Sequence, residues 1–218
     1  MKRKFFSNVI IAVFCVLSSS QVNAQDNSSV EVKKFELGAD FSTLTNFQTR
    51  LGLGGRFTYN LNSHIALEAA GYFFPQNCNF CGSNSGRTSQ GLFGVKIGKR
   101  FSKWGIFAKV RPGVVSTSKG EFNYVLLSNP PTTAFSFDFV SKRSTNFAVD
   151  AGAVLEFYPT KRLITRMDFG ITSVHHGQRT INVPAFDPVT GIYSLRTTTI
   201  PAQNLGFLQI TAGVGYRF

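Results

Sequence analysis

Read at every second residue, the stretch from Asn204 to Phe218 separates into two faces. Phe218, Tyr216, Val214, Ala212, Ile210 and Leu208 are apolar, whereas Arg217, Gly215, Gly213, Thr211 and Gln209 are polar or small. A period of two marks a β-strand, and this one is long enough to cross a bilayer at a tilt. Seven earlier stretches repeat the pattern: Lys34 to Leu44, Thr49 to Asn60, His64 to Phe74, Ser89 to Phe101, a strand beginning at Trp104, about Thr145 to Tyr158, and Arg162 to Ser173. Leu61-Asn62-Ser63, Ser102-Lys103 and Pro159-Thr160-Lys161 are tight turns between them. On the other side the first connection, Thr45 to Gln48, is short, and three long ones fall at about 75–88, 118–144 and 174–203. Short turns at one end and long loops at the other predict an all-β fold, an eight-stranded antiparallel up-and-down transmembrane β-barrel with both chain ends on the short-turn side.

Charge sharpens this reading. In the alternation Glu36, Asp40, Arg50, Arg56, Glu68, Lys96, Arg100, Lys109, Arg111, Asp150, Glu156, Arg166 and Asp168 all fall on the face opposite the apolar one. Lipid offers no partner for a charge, and a lipid-facing Arg or Lys at mid-bilayer costs about 2–4 kcal/mol. The charged face is therefore expected to point inward as an ion-pair network, with the strand glycines leaving room for the long side chains. Lys99 is the exception, close enough to a membrane edge to reach headgroups with its ammonium. Phe35, Phe57, Tyr59, Phe101, Trp104, Phe157, Tyr216 and Phe218 gather at the short-turn ends as an interfacial aromatic girdle. A soluble lipocalin-like barrel would need the faces reversed.

The chain has 218 residues, enough for one domain, and is rich in Phe and Gly. Residues 1–24 read as a cleaved signal peptide, with Lys2, Arg3 and Lys4, an apolar run from Val9 to Leu17, and Val22-Asn23-Ala24 before Gln25. Residues 25–33 read as a polar periplasmic lead-in and 34–218 as the barrel. No later segment has the ~20 consecutive apolar residues of a membrane helix. The formal charge of +12 falls to +9 on removing three of the 23 basic residues against 11 acidic ones. Because acids and bases are interleaved on one face, no nucleic-acid stripe results. Cys15 leaves with the signal peptide. Cys78 and Cys81 are expected to form a disulfide in an exported chain rather than a zinc or redox site, and no cofactor or metal site is indicated.

The signal peptide, the eight alternating strands, the short turns, the long outer loops and the terminal Gly215-Tyr216-Arg217-Phe218 together resemble the small outer-membrane barrels of the OmpA/OmpX superfamily. The resemblance implies a Gram-negative outer-membrane location. It also implies that Tyr216 and Phe218 serve as the signal read by the barrel-assembly machinery.

Candidate chemistry lies in the loops. Phe122, Tyr124 and Leu126 share a face, a turn follows at Ser128 to Thr132, and Phe135, Phe137 and Phe139 return on one face, so the strands flanking this loop are expected to protrude as a hairpin with a binding surface. Thr180 to Val183 and Tyr193 to Ile200 flank a second turn. These features favour a structural or surface-binding role, with lipopolysaccharide and an extracellular protein as partners and a monomeric barrel. Two alternatives stay open. Ser173, His175 and His176 would sit at the outer rim as in a lipid A-modifying hydrolase, although Ser173-Val174-His175-His176 lacks the His-x-Ser-Asn pattern expected of such an enzyme. A thin water path through the charged interior would allow small-solute passage.

Overall fold

A computed structural model describes residues 33–46, 49–75, 86–126, 137–187 and 192–218. The signal-peptide stretch, nearly all of the lead-in, Cys78, Cys81 and Phe135 lie outside the described residues. Those described form ten strands: β1 (Phe35–Thr45), β2 (Thr49–Asn60), β3 (Ile65–Phe74), β4 (Thr88–Arg100), β5 (Trp104–Leu126), β6 (Phe137–Phe157), β7 (Leu163–His176), β8 (Arg179–Asp187), β9 (Ile192–Ile200) and β10 (Gln203–Arg217). Eight close into one antiparallel barrel in the order β1-β10-β7-β6-β5-β4-β3-β2, while β8 and β9 form a separate two-stranded sheet. The closing ladder runs from Glu36 opposite Arg217 to Thr45 opposite Leu208, and the Phe35 and Phe218 backbones exchange N–H···O bonds of 3.1 and 3.0 Å. Closure leaves the membrane-spanning wall without a free edge, the condition for a sheet to sit in lipid.

Local chemistry fixes the turns. The Asn62 carboxamide oxygen accepts from the N–H groups of His64 and Ile65, both at 2.8 Å, an Asx turn that reverses β2 into β3. The N–H of Phe101 donates to Trp104 at 2.7 Å to close the two-residue turn before β5. Thr160 Oγ1 accepts from the Leu163 N–H at 2.9 Å at the start of β7.

The wall is apolar outside. Leu53, Ile171 and Phe93 are 66%, 61% and 59% exposed, and Val110, Leu208 and Val214 are exposed with them. A water-soluble monomer rarely shows a contiguous apolar surface above a few hundred Å². Here such a surface runs round the whole barrel, and among the described residues of the wall Lys99 is the one charged side chain facing out.

At the end away from the short turns, β5 and β6 outgrow their neighbours. Pairing of β4 with β5 stops at Thr88–Thr117 and pairing of β6 with β7 at Phe147–His175, yet β5 and β6 stay paired to Leu126–Phe137. The stretches expected as loops at 118–144 and 174–203 are thus largely strand. A bulge marks the rim, since β5 advances four residues from Thr117 to Glu121 while β6 advances two from Ser144 to Lys142. Bulges at barrel rims bend a strand and end its regular pairing. Gly120 lies within this bulge.

Candidate functional site

Two regions concentrate polar chemistry: the lumen, and the structure that stands above it. Of the thirteen charged residues that the alternation sets on the inner face, twelve are buried, from Arg111, Lys96's ammonium stem, Asp150 and Glu156 at 0% to Arg100 at 7%. Arg50 is half-buried near the outer end and donates to Thr88 Oγ1 at 2.5 Å. The buried set holds six acids and six bases, and each has an opposite charge within salt-bridge distance.

The network falls into three groups. Glu36 and Glu156 meet Lys96 and Arg100 near the short turns: Arg100 lies 3.2 Å from Glu36, Lys96 pairs with Glu156, and Arg100 also donates to Asn60 Oδ1 at 2.6 Å. Further along, Arg111 spans Glu68 at 2.5 Å and Asp150 at 2.6 Å, Lys109 meets Asp150 at 2.7 Å and also pairs with Asp168, and Arg166 meets Glu68 and lies 2.9 Å from Asp168. Arg56 and Asp40 form the third group. Burial on this scale is tolerable because every charge has a partner; an unpaired ion in low dielectric would cost several kcal/mol.

Small residues make the space. A Cβ on Gly38 would stand 2.8 Å from the Arg56 guanidinium carbon, and one on Gly213 would overlap the Asp40 carboxylate. The ends are capped differently. Tyr158 folds in from the turn after β6, donates to Glu156 Oε2 at 2.8 Å, and lies 4.3 Å beneath the Arg217 guanidinium. The ring of Phe107 lies 4.9 Å from the Lys96 ammonium and 5.3 Å from the Arg100 guanidinium. Above the ions comes a neutral polar layer, in which Thr172 Oγ1 donates to Gln209 Oε1 at 2.7 Å and Gln209 Nε2 to Ser42 Oγ at 3.1 Å. Above that lie Leu44, Tyr72, Phe74 and Leu92, with Phe207 packed against them and against Val115, Ala148 and Val174. The interior is therefore not ionic throughout: an apolar plug fills its outer end.

The outer structure is built on β5. Arg179, at the start of β8, donates to the Gly120 carbonyl at 3.2 Å, and the Asn182 N–H donates to Asn123 Oδ1 at 2.8 Å. These bonds hold the β8–β9 hairpin against the extension of β5. Phe122, Tyr124, Phe137 and Phe139 lie on the paired extensions, Tyr124 directly opposite Phe139. Around them Arg87, Lys119, Lys142, Arg143 and Arg196 are exposed.

At the rim, His175 Nδ1 lies 2.8 Å from Asn204 Oδ1, so an amide rather than an acid orients it. Among the described residues no hydrogen bond joins Ser173 to either histidine. Partial burial, with Arg179 and then His175 beside it, holds the His176 imidazolium below its usual pKa. Among the described residues no cluster of three or more His, Cys, Asp or Glu is set to hold a metal. Tyr216 and Phe218 point outward in an aromatic arc with Phe35, in which Phe35 is 5.9 Å from Phe218 and 5.3 Å from Tyr59.

No family model matches the sequence, and no curated protein does either. Solved structures do resemble the fold. The outer membrane protein OprG from Pseudomonas aeruginosa is 10% identical, with 86% of this chain and 96% of that one covered and a TM-score of 0.53. The N-terminal barrel domain of OprF from the same species is 13% identical over 84% and 97%, with a TM-score of 0.41. Ail, the attachment invasion locus protein of Yersinia pestis, is 12% identical over 84% and 96%, with a TM-score of 0.44. The OprG likeness shows a shared fold, that of small eight-stranded outer-membrane barrels.

Proposed function

We propose that this chain is an outer-membrane barrel whose task is binding at the cell surface, performed by the structure above the rim and supported by a packed lumen. The observation that carries this is the bulge at Gly120, whose carbonyl anchors a second hairpin on a strand pair already extended past the barrel. An ordered, partly aromatic sheet edge standing clear of the membrane suits strand addition by an extended peptide. Its surrounding cations suit the phosphates of lipopolysaccharide. A signal peptide at 1–24, a disulfide between Cys78 and Cys81, recognition of Tyr216 and Phe218 by the assembly machinery, and a monomeric state complete this reading. Ion pairs filling the lumen, with Phe74 and Phe207 above them, favour support over solute passage.

The test is a variant in which residues 177–202 are replaced by a short Gly-Ser turn, displayed on a heterologous Gram-negative host. The barrel is expected to form, as judged by the mobility shift between boiled and unboiled samples. Adherence to protein-coated surfaces is expected to fall several-fold relative to the intact chain. Equal adherence by cells carrying the intact chain, the variant and no barrel at all would remove the surface-binding role.

A further inference from the structure

The short-turn end carries a charge asymmetry that the fold does not require. Lys34, Lys99, Lys103, Lys161 and Arg162 are all exposed there. The acidic side chains of the same end, Glu36 and Glu156, are 1% and 0% exposed, held in the lumen by Lys96 and Arg100. Among the described residues this rim presents cationic side chains to its surroundings and no acidic side chain.

Their depth is set by aromatics. Lys99 alternates with inward Gly98 and Arg100, so it points to lipid, and its ammonium lies 5.4 Å from the Phe101 ring, which stacks on Trp104 at 4.2 Å. Arg162 donates to the Tyr216 hydroxyl at 3.2 Å. Tyr and Trp settle at the headgroup level of a bilayer, so these cations lie among headgroups and not in bulk water.

We propose that this rim is a collar selective for anionic phospholipid headgroups, resting on the placement of the apolar wall in a bilayer. Lys34 immediately precedes β1, Lys99 lies near the end of β4, Lys103 in the turn between β4 and β5, and Lys161 and Arg162 in the turn between β6 and β7. Cations spaced round the wall match a ring of lipids, whereas one compact protein partner would meet a single cluster. A zwitterionic headgroup brings its own ammonium and gains little. An anionic one gains about 1 kcal/mol per cation met, roughly fivefold in association.

Trp104, the one tryptophan of the chain, reports on the lipids beside Lys99 and Lys103. The full chain is refolded into phosphatidylcholine vesicles containing a minor fraction of either brominated phosphatidylglycerol or brominated phosphatidylcholine, and quenching is compared at equal fractions. The collar is expected to raise the association of the anionic lipid about fivefold over the zwitterionic one at low salt. High salt is expected to erase the preference, as is the Lys99→Gln, Lys103→Gln, Arg162→Gln variant. Equal quenching by both lipids at low salt would overturn the collar and leave the membrane placement standing. Absence of quenching by either lipid would overturn both. The wild-type comparison and its salt dependence decide the matter if the variant fails to fold.

Discussion

Glu68→Gln is expected to lower the unfolding free energy of the bilayer-inserted barrel by about 3–5 kcal/mol, the cost of breaking a buried pair from one side. Glu68 accepts from Arg111 Nη1 at 2.5 Å and from both terminal nitrogens of Arg166, one of them at 2.9 Å. With the carboxylate gone, two buried guanidiniums share Asp150 and Asp168, which already serve Lys109. Among the described residues Asp168 is then the one acid left in contact with Arg166. Glu121→Gln is the control, because Glu121 is exposed and opposite Lys142, where a surface pair contributes under about 1 kcal/mol. Urea unfolding in lipid vesicles followed by Trp104 emission reads both. Similar losses for the two variants would mean that the lumen is solvated and its charges are screened.

The second large effect lies on the opposite face of the wall. Val110 is half-exposed at the middle of the barrel, between Val95 on β4 and Ala151 on β6. Val110→Arg is expected to cost about 2–4 kcal/mol in a bilayer, because the guanidinium must stay in hydrocarbon or thin the membrane. Ile106→Arg, beside Lys99 and near the aromatic belt, is expected to cost about 0–1 kcal/mol, since its head can reach the headgroups. On a water-facing wall both changes would lie within about 0.5 kcal/mol. The difference between the two sites, measured by the same unfolding assay, separates lipid from water.

Much of this architecture was legible in sequence because a strand repeats every two residues. Period two assigns faces: Glu36, Asp40 and Arg56 to the inside, Leu37, Phe41 and Phe57 to the outside. It does not assign partners. Lys96 meets Glu156 sixty residues away and Arg166 meets Glu68 ninety-eight away, contacts created by strand stagger and closure. Tyr72 and Phe107 could be set on the inner face by alternation, but that Tyr72 joins Phe74, Leu92 and Phe207 in a plug depends on how neighbouring strands are staggered. Alternation sets Tyr158 in phase with Glu156 but does not set its stacking beneath Arg217, which depends on strand stagger. The docking of β8–β9 on β5 escaped it too, since a bulge two residues deep at Ser118–Gly120 has no periodic signature. The aromatic runs around Phe122 and Phe137 did announce a protruding hairpin, whose strands now carry that register.

The most direct measurement on a lipid-facing wall is depth-resolved quenching of Trp104, the native tryptophan, in vesicles of phosphatidylcholine brominated at different heights along the acyl chain. Trp104 is 43% exposed, stacked on Phe101 and opposite Phe157 at the short-turn belt. Strong quenching is expected from bromines near the headgroup and weaker quenching from bromines at the chain ends, with blue-shifted emission. Unquenched, red-shifted emission from protein that stays in the soluble fraction would contradict the transmembrane barrel.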